Sequence, residues 1–161
     1  AGSDCSASGS FCVGTYTGNG TSPRAITTGF QPDLFIVKPL AATAANWRSS
    51  SMPTNYGQFF INTAQETTGA LYTTLDATGF TVGATNNTNA TVYYFVAFKN
   101  ASNAIKVGTY SGTGSATNVT GVGFQPDFVF TKNATNATAQ QAVYSLNESY
   151  GDSSSYFYDA D

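Results

Sequence analysis

Residues 29–38 read GFQPDLFIVK, and the motif returns at 123–132 as GFQPDFVFTK. The match is longer than these ten letters. VGTYTGNGTSPRAITTGFQPD, from Val13 to Asp33, aligns with VGTYSGTGSATNVTGVGFQPD, from Val107 to Asp127, at a constant offset of 94 and without a gap. Eleven of those 21 positions are identical, including Tyr16/Tyr110, Gly18/Gly112, Phe30/Phe124 and Pro32/Pro126. A catalytic motif is seldom duplicated inside one small chain, whereas a building block often is, so the pattern reads as two copies of one structural unit. It divides the chain into an N-terminal extension, 1–10, a first unit, 11–104, and a second unit, 105–161.

The residues of each unit favour strands. Ser and Thr are abundant, Lys and Glu scarce, and only 9% of residues are charged. Long amphipathic helices draw on Ala, Leu, Glu and Lys, so this composition points to β structure. Residues 11–17 alternate as a strand, and GNGTSPR is a turn. In GFQPD, Pro32 suits the entry of a strand rather than its middle. The apolar run at 34–37, LFIV, fits a strand buried on both sides, with Lys38 and Lys132 marking the solvated exit in each copy. FFIN at 59–62, ALYTTL at 70–75 and FTVG at 80–83 read as further short strands. TVYYFVAFK closes the unit, with Val92, Tyr94, Val96 and Phe98 on one face. Short strands between Gly- and Asn-rich turns predict an all-β fold built as an antiparallel β-sandwich.

Taken together, YTGNG, GFQPDL followed by two apolar residues and Lys, D-x-x-GFTVG and the closing Y-x-VAF-K resemble a β-sandwich repeat of predicted bacteriophage tail-fibre and virion structural proteins. Related units occur in large bacterial surface proteins. The resemblance covers 11–99 and the first half of the second unit. It implies a jelly-roll or lectin-like sandwich, and it brings no catalytic residues with it.

Several function classes are disfavoured by the residues themselves. The net charge is −3 with six basic residues, which leaves no clustered Lys and Arg for nucleic acid. No apolar run approaches the ~20 residues of a membrane helix. Without His, Ser-His-Asp and Cys-His catalysis are excluded. A two-carboxylate glycosidase would have to use Glu66 with Asp76, or Glu148 with Asp152, and these read as solvated loop acids. Asp152, Asp159 and Asp161 match no calcium-loop signature. No enzyme, cofactor or metal is expected.

Extracellular features accumulate instead. Cys5 and Cys12 lie seven apart, as a local disulfide would require, although two unpaired core cysteines remain the alternative. An initial Ala-Gly fits signal-peptidase cleavage, and a trimmed chain opens the same way. Eight Asn begin Asn-X-Ser/Thr sequons, where about three arise by chance: Asn19, Asn86, Asn89, Asn100, Asn118, Asn133, Asn136 and Asn147. Those in the loop TNNTNA, Asn86 and Asn89, and those after the second core strand, Asn133 and Asn136, are expected at the surface. Trp47, Tyr56, Tyr150, Tyr156 and Tyr158 fall in variable stretches, and Trp47 and Tyr56 are the candidate rings for stacking on a glycan.

The second unit is the unusual one. At offset 94 the counterpart of VYYFVAF would fall beyond Asp161, so this unit reads as incomplete. Three readings compete: the array continues past this sequence, the unit folds in reduced form, or a neighbouring chain donates a strand, with the segment leading into FCVGTY as the expected donor. The function expected is a non-enzymatic structural subunit of an extracellular filament, fibre or virion surface, a homopolymer joined by β-strand addition. A carbohydrate-binding module or adhesin is the alternative, with surface glycans as partner.

Overall fold

The computed structural model describes residues 3–5, 9–61, 63–101, 103–135, 141–147 and 151–156, with Ser3 and the last two stretches described by their backbone alone. The fold is all-β, and every strand pair is antiparallel. A six-stranded sheet has the order β1-β2-β9-β4-β5-β6, and a three-stranded sheet has the order β3-β8-β7. The larger sheet uses β1 (Ser3–Cys5), β2 (Phe11–Thr17), β4 (Leu34–Pro39), β5 (Asn46–Ser49), β6 (Gln58–Phe59) and β9 (Val92–Phe98). The smaller uses β3 (Arg24–Thr27), β7 (Tyr72–Asp76) and β8 (Gly79–Val82). A separate sheet, β10-β11-β12, follows from Phe128–Lys132, Gln141–Asn147 and Gly151–Tyr156.

The first two sheets pack face to face through aromatic rings. Phe35 of β4 stacks on Phe80 of β8 with centroids 4.1 Å apart and meets the edge of Tyr72 at 4.7 Å. Phe80 also meets Phe95 of β9 at 5.6 Å. Tyr16 stacks on Tyr93 at 4.9 Å. With Cys12, Ile26, Phe30, Val37, Leu71, Val82 and Ala97 these rings form one buried cluster. Fully burying a side chain of this kind contributes about 1.5–3 kcal/mol, which makes the cluster the main favourable term of the sandwich.

Strand β9 sits at the centre. It pairs with β2 over seven registers, from Phe11↔Phe98 to Thr17↔Val92, and with β4 over six, from Leu34↔Phe98 to Pro39↔Tyr93. Tyr93, Phe95 and Ala97 point into the core, and Val92, Tyr94, Val96 and Phe98 lie on the outward face. The expectation that LFIV is buried on both sides is corrected here: Phe35 and Val37 are buried, whereas Leu34 and Ile36 are half-buried on that outer face.

The duplicated motif holds the core strands in place. Thr28 Oγ1 donates to the Phe30 carbonyl at 2.7 Å, and Phe30 is buried. The Asp33 amide donates to the Phe98 carbonyl at 2.7 Å. The Asp33 carboxylate accepts from the Asn100 amide at 2.7 Å and from Ser50 Oγ at 2.9 Å. GFQPD therefore ties the start of β4 to the ends of β9 and β5.

Between β9 and β10 the described residues contain no strand. The β2-like sequence VGTY at 107–110 is among them, and Tyr110 is exposed. The reason lies in the ladder. Strand β2 is held on one side by all of β9 and on the other by three residues of β1. At offset 94 the β9 counterpart falls outside these 161 residues, and among the described residues 107–110 pair with no strand. By contrast, β10, β11 and β12 occupy the positions of β4, β5 and β6 at that offset, and they pair in the same order.

Gly18 and Gly112 test this difference, because they are the same residue in the two copies. A Cβ on Gly18 would lie 2.0 Å from the Thr88 carbonyl oxygen, whereas one on Gly112 would meet nothing within 4 Å. Gly18→Ala is expected to cost about 1–3 kcal/mol. Gly112→Ala should stay within roughly 0.5 kcal/mol. Urea denaturation of both variants measures the contrast.

Candidate assembly interface

Cys5 and Cys12 face each other in the β1–β2 register and are joined by a disulfide. The bond holds β1 against the edge of β2, and Cys5 packs on the core beside buried Cys12. This arrangement corrects the expected strand donor. Residues 3–5 are paired and covalently tethered within their own chain, so they are not free to extend into another.

The sequons separate into two kinds. Asn19, Asn89, Asn100, Asn118 and Asn133 are exposed. Asn136 lies outside the described residues, and Asn147 falls in β11, where only the backbone is described. Asn86 is a correction. It sits in a short 3-10 turn, Thr85–Asn87, and is 0% exposed. Its Nδ2 donates to Asn46 Oδ1 at 2.8 Å and to the Leu71 carbonyl at 3.3 Å, while its Oδ1 accepts from Asn46 Nδ2 at 3.1 Å. Tyr16 OH donates to its carbonyl at 2.7 Å. The loop TNNTNA dips inward because its amides complete the polar ends of the sandwich. Such groups must be bonded once they leave water.

The same network is otherwise structural. Tyr72 OH donates to Asn46 Oδ1, and its pKa is pushed well above the phenol range, chiefly by burial. Tyr16 is raised too, first by burial and then by Tyr93, while Arg24, 5.4 Å over its ring, pulls the other way. Arg48, 3% exposed, donates to the carbonyls of Thr73 at 2.9 Å and Pro53 at 3.2 Å. Burial lowers its pKa, and the charge of Asp76 opposes that shift.

The candidate carboxylates are engaged locally. Glu66 accepts from Thr68 Oγ1, from the Thr68 amide at 2.5 Å and from the Leu71 amide at 3.3 Å. Asp76 accepts from Thr81 Oγ1 at 2.6 Å and Thr74 Oγ1 at 2.9 Å. Glu148, Asp159 and Asp161 lie outside the described residues, and Asp152 is described only by its backbone in β12. Among the described residues no three acids or cysteines cluster as a metal site.

Trp47 is not an open stacking ring, which corrects the glycan-contact expectation. It lies opposite Ile36 on the outer face of the large sheet, yet it is buried. Phe130 of β10 covers it edge-on at 5.0 Å, and Phe60 flanks both rings, at 6.3 Å from Trp47 and 5.3 Å from Phe130. Polar bonds surround this contact. Gln58 Nε2 donates to the Asn133 carbonyl at 2.7 Å, Lys132 Nζ to the Thr63 carbonyl at 3.1 Å, and the Gln65 amide to the Ala134 carbonyl at 3.1 Å. Burial lowers the Lys132 ammonium pKa. Tyr56 is half-buried; Tyr150 and Tyr158 lie outside the described residues, and Tyr156 is described by its backbone only.

Comparison with known families selects the same stretch of chain as the sandwich. A family described as a domain of unknown function, DUF7483, matches residues 6–105. The chain belongs to the DUF7483 family. No match is found among curated proteins or among solved structures. The DUF7483 match takes in β2 through β9 and stops before β10, so every strand of the two sheets that enclose the core except β1 falls inside it. Features missed by sequence reasoning include β1, β3, β5, the inward position of Asn86 and the contact of Trp47 with Phe130. The signal for the last was a lone Trp in a polar stretch that has no counterpart in the second copy.

Two outcomes follow. In protein made by a glycosylating host, site-resolved mass spectrometry should find sugar on exposed sequons such as Asn89 and none on Asn86. Because Trp47 is the single Trp, its emission reports the β10 contact directly. Phe130→Ala should shift that emission to the red, and the lost ring pairing should cost about 0.5–1.5 kcal/mol beyond the burial term.

Proposed function

We propose that this chain is a non-enzymatic structural subunit of an extracellular filament, fibre or virion surface, and that its copies join by β-strand addition. The observation that carries this reading is the asymmetry between the two halves. In the first, β4 is flanked by β5 and β9. In the second, β10 has β11 on one side and stands at the end of its sheet on the other. Meanwhile 105–111, whose sequence repeats that of strand β2, is not in a strand. Among the described residues, each copy thus carries an end-of-sheet strand and a β2-like segment without a ladder.

Joining one to the other between copies is head-to-tail contact, which propagates when the rotation does not close. Backbone pairing supplies the affinity in such additions, and alternate side chains supply register. The disulfide and the paucity of charge suit an oxidising, extracellular setting. The alternative, a carbohydrate-binding module, loses its best ring to the Trp47–Phe130 contact.

Thr109 is exposed, lies outside the sandwich and has no strand pairing to lose. Thr109→Pro removes the central amide of the proposed added strand. Electron microscopy should show filaments of the parent protein and dispersed particles of the variant. Parent protein that stays dispersed, or a variant that still polymerises, overturns the proposal.

A further inference from the structure

The outer face of the six-stranded sheet is the largest feature that this reading leaves unused. Residues opposite one another in an antiparallel ladder share a face. Two apolar rows therefore cross the sheet, Phe11–Phe98–Leu34 and Val13–Val96–Ile36, and the second continues to Trp47. Phe11, Val13 and Tyr94 are 39%, 38% and 48% exposed, and the remaining apolar members of the rows before Trp47 are half-buried. An antiparallel sheet with one face on the core normally presents polar residues on the other. This one carries two apolar rows on its outer face, flanked by Asp4, Thr15 and Lys38.

We propose that this face is a docking surface for a second copy of the chain, set face to face about a two-fold axis that runs along the strands. Two observations select a second copy. First, the face is continuous with a contact already made inside the chain. Phe130 of β10 covers its Trp47 end, so a β-sheet bearing aromatic side chains is the kind of surface it accepts. Second, its charges are self-complementary. Asp4 on β1 lies opposite Val13 at one side of the face, and Lys38 on β4 lies opposite Tyr94 toward the other. A two-fold along the strands exchanges those sides, so Asp4 of each copy meets the Lys38 side of its mate. The Lys38 ammonium is anchored by the carbonyls of Pro39, Ala41 and Thr43, at 2.6, 3.1 and 3.0 Å, which fixes where that charge stands.

Size sets the expected strength. From the usual strand spacing and rise, the two apolar rows and the neighbouring row through Tyr94 cover about 14 Å by 17 Å on three strands. That is well below the ~800 Å² that each partner contributes to a standard interface. The contact is therefore weak between free subunits. It becomes strong when many are aligned, as in filaments lying side by side.

The test uses the full chain carrying Thr109→Pro, so that end-to-end strand addition does not obscure face-to-face pairing. Sedimentation velocity over a concentration series should show a reversible monomer–dimer equilibrium. Val13→Lys places a charge in the middle of the contact and should raise the dissociation constant at least tenfold, with the circular dichroism spectrum unchanged. Asp4→Lys should weaken the dimer about three- to tenfold, and added salt should weaken the dimer of the Asp4-bearing protein. A protein that stays monomeric up to millimolar concentration overturns the proposal, and so does a dimer that ignores Val13→Lys. Failure of filament formation in the parent protein would count against strand addition and leaves this equilibrium to be read on its own.

Discussion

Everything in the sandwich depends on β9 being paired on both edges and packed on its inner face. Its two ladders join β2 to β4, so strands from the start and the middle of the family domain enter one sheet only through it. Its inward residues, Tyr93, Phe95 and Ala97, supply the centre of the core. The Tyr93 hydroxyl also donates to the Thr85 carbonyl at 3.1 Å and accepts from the Thr88 amide at 3.0 Å, which fixes the preceding loop. Such a strand has high contact value because one segment satisfies two rows of backbone groups and one layer of apolar surface together. A β2-like sequence without it has neither, and 105–111 remains outside any strand.

The polar ends of the sandwich are held differently, by amides that reach inward from loops. Asn46, Asn86, Tyr16 and Tyr72 form one bonded set, and Asn87 joins Asn19 and Arg24 at its margin. A buried network of this type specifies a single arrangement when every member is bonded, and it is costly when one is removed. It also explains why Gly18 must lack a side chain: the 87–88 backbone comes down directly onto it to place these amides.

Legibility in the sequence followed the same division. Alternation and turn chemistry were enough for β2, β8 and β9, and the duplication identified GFQPD as a structural device. Strand β5 was hidden, because Asn-Trp-Arg-Ser shows no apolar alternation: its inward residues are Asn46 and Arg48, held by hydrogen bonds rather than by burial of carbon. The position of Asn86 was equally unreadable. A sequon in a polar loop looks solvated, and only the tertiary approach of Tyr16, Asn46 and Leu71 turns its side chain inward. Trp47 had the composition of a binding ring, but its partner Phe130 lies 83 positions away, beyond any local pattern.

The edges of the sheets point the same way as the interior. An exposed strand edge templates unwanted pairing, and proteins blunt it with short or irregular edge strands. In the large sheet the edge strands are β1, three residues and tied by a disulfide, and β6, two residues. In the small sheet β3 has four residues, and β7 is interrupted by a bulge between Tyr72 and Leu75. The edges of the third sheet are longer: β10 has five residues and β12 has six. If edge pairing were merely a hazard here, the third sheet would be expected to carry the same blunting. The two stretches share a repeated sequence, yet the edge strands around the first are short or interrupted and those of the third sheet are longer. The proposed strand addition between copies would use that asymmetry, because the long edges lie in a single region, as an ordered polymer requires and indiscriminate aggregation does not.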